Sequence, residues 1–292
     1  MRVLLIQDIC VIGKNSANVT IPLFSAMGIE VVFVPVFIQI SKWDSLNKNN
    51  FDSIQDYDDL SFKFKDYSDY FTKNKIHFDC IFINGNFSQG QVEKINELVD
   101  SCFTNDCIIV LGSDVTFSLL RKFYGKANVV ISDLSKLLCL FEEQNTDENS
   151  DISRDKVRDK VRDKAIVENI MLQNSNKFRC SVVGTGLFIN EKKSGIAILE
   201  NRRGIKCGNN NGTFKWLYHN NYISNFHGLN DIFSAVVTGV FVKSFDLEKA
   251  VRIGIDFTEK AVKNTLSKPD HNWYGADFES ILPQLTLQLS DS

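Results

Sequence analysis

The sequence predicts an α/β fold: a doubly wound, mostly parallel sheet flanked by helices, with a small β-rich edge, carried as one domain over residues 1–292. Three observations predict it. Short runs rich in Val and Ile do not alternate with polar residues, which is the pattern of strands covered on both faces. Segments of helical period lie between them and stop at glycines. After Gly195 the pattern changes to hairpin-like segments joined by a Gly/Asn-rich stretch.

In chain order, residues 3–6, 31–36, 80–83, 107–111, 129–131 and 181–183 read as the buried parallel strands. Helical patterns separate them at 16–27, stopped by Gly28, at 89–100, and at 114–124, stopped by Gly125. Alternation of this kind requires crossover connections and so a doubly wound sheet. Residues 196–200 and 214–218, joined by 204–212, form the β-rich edge, and helices over about 231–242 and over 247–266 close the chain. Residues 41–70 are polar and aromatic, and suit either a lid or a solvated crossover. Residues 142–151 are acidic and lead into a tandem RDKV repeat at 154–164. Its opposite charges one and three residues apart, with Val157 and Val161 one turn apart, predict an exposed helical connector.

The chain has 292 residues, 43% of them hydrophobic, and a formal net charge of −3. That is enough to bury a full core, and the charge points to neither a nucleic-acid nor an anionic-membrane partner. Cys10, Cys80, Cys102, Cys107, Cys139, Cys180 and Cys207 are odd in number and lack CxxC spacing, which argues against a disulfide framework or zinc site and fits a reducing cytoplasm. The apolar start at 3–6 is too short for a signal segment, and no window approaches the ~20 apolar residues of a membrane span.

The chemistry concentrates at residues 226–233, Phe-His-Gly-Leu-Asn-Asp-Ile-Phe. Here Asp231 stands at a glycine-containing turn that opens a helix. Free backbone N–H groups and the positive end of the helix dipole can hold a phosphate there, while the carboxylate takes a proton from a hydroxyl. That combination is kinase chemistry, although aspartate also favours a plain helix N-cap.

The stretch resembles the GTGD signature of the ribokinase-like kinases, in the FHGTGDIF form of the pyridoxal kinases. The likeness extends to both ends of the chain. Residues 6–16 resemble the strand-end loop INDISGFGKCS, and 273–279 resemble the ending WYGVNFE. The resemblance implies a ribokinase-like fold throughout and ATP-dependent phosphorylation of the 5′-hydroxymethyl of pyridoxal, pyridoxine or pyridoxamine, with ATP and Mg²⁺ as cofactors and a vitamin B6 vitamer as the small-molecule partner. It casts Asp231 as the general base and Gly228, Leu229 and Asn230 as phosphate-binding positions. Thr185 and Gly186, in a stretch similar to the VITG strand end, fall near the ATP phosphates. Asp8 and Cys10 fall on the loop that touches the pyridine ring, with Trp43 also on the substrate side.

The departures bear on activity. Leu229 and Asn230 replace the threonine and second glycine of the signature, and an asparagine there either crowds the backbone or needs the left-handed conformation. Residues 109–114, Ile-Val-Leu-Gly-Ser-Asp, replace DPVMGD, and Lys136 replaces the glutamate of TPNxxE that is associated with magnesium. An ammonium cannot ligate Mg²⁺ but can neutralise phosphate charge. The readings therefore stand side by side: a pyridoxal kinase, a catalytically impaired homologue that binds a ligand or partner, and a hydroxymethylpyrimidine kinase. The apolar run 31–40 adds the expectation of a homodimer.

Overall fold

The computed structural model describes residues 1–40, 57–123, 125–142, 163–190, 192–201, 213–220, 226–271 and 274–290. The chain opens with β1 (Arg2–Cys10), α1 (Ala17–Ala26), β2 (Glu30–Gln39), β3 (Tyr57–Asp59), α2 (Phe64–Lys73), β4 (Cys80–Asn84) and α3 (Gln89–Cys102). It continues through β5 (Ile108–Leu111), α4 (Phe117–Lys122), β6 (Val129–Asp133), α5 (Leu134–Glu142), α6 (Lys164–Phe178), β7 (Ser181–Asn190), β8 (Lys193–Glu200) and β9 (Thr213–Asn220). It ends with α7 (Leu229–Ser244), α8 (Leu247–Leu266) and α9 (Leu282–Ser290).

Two compact units emerge, Met1–Ile108 with Ser224–Ser292, and Ile109–Ile223. In the first, the strands run β3-β2-β1-β4, with β1 parallel to β2 and β4, and β3 antiparallel to β2. Residues 3–6 and 80–83 are buried throughout, which is why these strands do not alternate. Where their pairing ends, Gln7 of β1 stands directly opposite Asn84 of β4. The strand β2 is less covered than expected. Among the described residues only Phe37–Gln39 pair with β3, and residues 31–33 stay half-buried.

In the second unit, β5, β6 and β7 are parallel, β8 adds antiparallel to β7, and β9 adds antiparallel to β8. These two hairpins are the β-rich edge. Helix α4 is shorter than the expected 114–124, because the Thr116 hydroxyl accepts the Leu119 N–H and fixes the start there. The span 41–56, the repeat at 154–162, residues 202–212 and Trp43 lie outside the described residues.

Helix α7 is buried on every side from Asp231 to Val242, so it is a core helix rather than an amphipathic one. Among the described residues Cys80, Cys102, Cys107 and Cys180 carry free thiols, and burial pushes those of Cys107 and Cys180 up to about 12. Among the described residues no helix is long and apolar enough to cross a membrane.

Candidate active site

Helix α7 begins two residues earlier than the sequence suggests. Leu229 is its first residue and Gly228 its N-cap, at φ 79°. Asp231 therefore sits in the first turn instead of capping it, still at the positive end of the helix dipole. The left-handed demand falls on Gly228, so Asn230 keeps a right-handed helical backbone and is exposed, contrary to expectation. A Cβ on Gly228 would run into the carbonyl oxygen of Lys14. One on Gly275, at φ 147°, would come within 2.6 Å of the Lys14 Cβ. The Lys14 N–H donates to the Tyr274 carbonyl at 3.0 Å. Residues 11–16, the turn at 226–228 and the segment at 274–275 are thus stacked backbone on backbone, and glycines permit the approach.

Behind that stack lies a buried polar network. Asp231 is only 1% exposed. Its Oδ1 accepts from Gln7 Nε2 at 2.9 Å and from Asn84 Nδ2 at 2.8 Å, and its Oδ2 accepts the Ser16 N–H at 2.8 Å. Ser16 also donates its hydroxyl to Asp8 Oδ2 at 2.6 Å, where Gln39 Nε2 donates as well, at 2.9 Å. One residue therefore bridges two buried carboxylates. It does so in the left-handed region, at φ 54°, a conformation that costs a serine roughly 1–2 kcal/mol and persists only where the surroundings enforce it. Its carbonyl accepts the N–H groups of Val19 and Thr20, so the same residue starts α1.

The stack is tied down at its rim. The Lys14 ammonium pairs with Glu279 at 2.7 Å and lies 3.7 Å from Asp277, which also receives Lys268. The hydrogen bond from Lys268, supported by the Lys14 charge, holds the Asp277 carboxyl below its ordinary value against the opposing effect of burial.

The remaining candidates divide between the units. Asp8 and Cys10 lie on β1, both buried, with the Cys10 carbonyl accepting Asn18 Nδ2 at 2.7 Å. Thr185, Gly186 and Lys136 belong to the second unit. Thr185 pairs in register with Asp133 at the end of β6, and its hydroxyl donates to the Ser132 carbonyl at 3.4 Å. Gly186, at φ 83°, is packed against the Asp133 carboxylate, which accepts the N–H and hydroxyl of Ser135. The Lys136 ammonium donates to the carbonyls of Ser113 at 3.0 Å and Val115 at 3.5 Å, which holds the loop after β5.

Sequence reasoning missed Gln7, Ser16 and Asn84. The available signal was a polar residue ending each apolar strand, Gln7 after residues 3–6 and Asn84 after residues 80–83, where open α/β sheets build their sites. Magnesium finds no cluster among the described residues: no three metal-capable side chains come together. Both oxygens of Asp231 and Oδ2 of Asp8 are met by N–H and O–H donors.

This arrangement of strands and helices is the fold seen in solved ribokinase-like structures. In fold the chain is similar to solved pyridoxal kinases. The enzyme from Lactobacillus plantarum superposes with a TM-score of 0.73 at 15% identity, over 99% of this chain and 98% of its own. The pyridoxal kinase of Leishmania donovani, in complex with ADP and pyridoxine, gives 0.68 at 12% identity over 97% and 95%. A Bacteroides thetaiotaomicron protein assigned as a phosphomethylpyrimidine kinase, crystallised with pyridoxal, gives 0.73 at 18% over 97% and 95%. No protein-family model and no curated protein sequence matches the chain.

Proposed function

We propose that this protein is a phosphotransferase that moves the γ-phosphoryl group of ATP to the 5′-hydroxymethyl of pyridoxal, pyridoxine or pyridoxamine. The observation that carries this reading is the Asp231 carboxylate, fixed in the first turn of α7 behind the Gly228 turn. In this role Asp231 accepts the hydroxyl proton as the oxygen attacks phosphorus, and the N–H groups at 228–231 stabilise the charge on the transferring group. In this reading the resemblance assigns Asp8, Cys10 and Trp43 to the vitamer ring, and Thr185, Gly186 and Lys136 to the nucleotide phosphates. Mg²⁺ would neutralise charge on the ATP phosphates. The test is ATP-dependent formation of the phosphorylated vitamer by the purified chain; a protein that binds pyridoxal but yields no product from ATP ends this reading.

A specific observation favours a second reading. A carboxylate 1% exposed and held by three protein donors has the environment of a structural anchor. A homologue impaired in transfer that still binds its ligand would show this arrangement. The Bacteroides thetaiotaomicron neighbour also keeps hydroxymethylpyrimidine among the acceptors to be assayed.

Two expected results belong to this reading. With Lys136 in place of a carboxylate, Mg²⁺ should add little to ATP affinity. Lys136→Glu should raise that dependence while releasing the carbonyls of Ser113 and Val115, and Lys136→Gln should release the charge without gaining Mg²⁺ dependence. Calorimetry showing strong Mg²⁺-dependent ATP binding that Lys136→Glu leaves unchanged would remove Lys136 from the nucleotide side. The chain should also form a homodimer, since the first unit exposes Val11, Ile12, Ile38 and Ile40 together with the half-covered start of β2. Light scattering that shows only monomer at micromolar concentration would refute that.

A further inference from the structure

Where the pairing of β1 with β4 ends, Gln7 and Asn84 stand opposite each other and are wholly buried, at 0% exposure each. Both carboxamides donate to the same oxygen, Oδ1 of Asp231, at 2.9 and 2.8 Å. Burying a carboxamide is unfavourable unless its polar atoms are satisfied. Gln7 is only half satisfied, because its Oε1 has no partner among the described residues. Two strand ends that could have been closed by apolar side chains therefore carry amides whose donors converge on one atom.

We propose that Gln7 and Asn84 are positioning residues for phosphoryl transfer: together they fix the plane of the Asp231 carboxylate and direct proton uptake to Oδ2, the oxygen on the Ser16 side. The proposal rests on the phosphotransferase reading. Neutral donors suit the task because they stabilise the anion without adding a charge that would titrate with it. The elements packed around Asp231 contribute few titrating groups. On β1 and β4 these are Asp8, the thiols of Cys10 and Cys80, and Arg2, which is paired with Glu30 at the other end of β1, and α1 carries none. His227 precedes the turn, and Lys14, Asp277 and Glu279 are engaged with one another at the rim. On α8 the ion pairs Glu248–Arg252, Asp256–Lys260 and Glu259–Lys263 are internal to the helix.

The test exchanges amide for acid without changing shape. Asn84→Asp and Gln7→Glu each place a second carboxyl within contact of Asp231, and two such groups share one proton instead of both ionising. The full chain with pyridoxal and ATP should then show the acid limb of its kcat profile moved upward by about one pH unit or more relative to wild type. KM for ATP should stay unchanged. The exchange Asn84→Asp with Asp231→Asn returns one acid and one amide to the pair, and should recover thermal stability relative to Asn84→Asp without recovering activity. Both substitutions are made because one of them folding suffices for the pH profile. An unmoved acid limb in an active, folded variant overturns the positioning role and leaves the phosphotransferase reading intact. An inactive wild type, by contrast, overturns both.

Discussion

Asp231→Asn should lower kcat by roughly 10²–10⁴-fold, the range for losing a placed general base, with the affinities for ATP and pyridoxal nearly unchanged. The asparagine Oδ1 still accepts from Gln7 and Asn84, but its amide then faces the Ser16 N–H, donor against donor. Losing that buried bond to a charged acceptor should cost about 1.5–3 kcal/mol of stability. The variant is therefore assayed well below its melting temperature, with the folded fraction measured alongside. If Asp231 is only an anchor, the stability loss appears and wild type and variant are equally inactive. If kcat falls merely in step with the folded fraction of an active wild type, Asp231 is not the base.

Gly228→Ala carries the largest expected effect on stability. The left-handed backbone at φ 79° penalises any side chain by about 1–2 kcal/mol. The new methyl also meets the Lys14 carbonyl oxygen, a backbone atom that no rotamer change can move aside. Overpacking of that kind adds about 1–3 kcal/mol, so the two together come to about 2–5 kcal/mol and a melting temperature lower by roughly 5–15 °C. Gly90→Ala, inside α3 with open space around it, is the control and should be neutral or slightly stabilising. Equal melting temperatures for the two variants would mean that Lys14 is not stacked on the turn.

Most of the framework could be read from the sequence because its causes are local. Residues 3–6 and 80–83 are apolar runs buried along their length, and α8 occupies the expected 247–266 because its period, its Asp246 cap and its buried stripe agree. The start of α7 was misplaced because Gly228, and not the aspartate, makes the entry turn. The last helix, α9, has leucines at 285, 287 and 289 that read with the period of a strand; it is helical with Leu285 fully buried and Pro283 confined to the first turn, where a missing N–H costs nothing. The network around Asp231 was not legible. Its partners lie 147, 215 and 224 residues away in the chain, and no local pattern marks which polar strand-end residue will meet a given carboxylate.

The stacking of residues 11–16 against 226–228 and 274–275 also sets an order of events at the ribosome. The first unit is discontinuous, its two parts separated by all of Ile109–Ile223. When residues 1–108 have emerged, Gln7, Ser16 and Asn84 are present but their common acceptor is not, and strand ends carrying unpaired amides cannot be sealed without loss. Those strands must wait, partly hydrated, while more than a hundred further residues are synthesised. Long-range closure of this kind is slow, and it leaves apolar strand surface open in the meantime. The carboxylate that completes the network is thus also the signal that the nascent chain has reached its C-terminal helices, and the site becomes competent only when the unit as a whole can close.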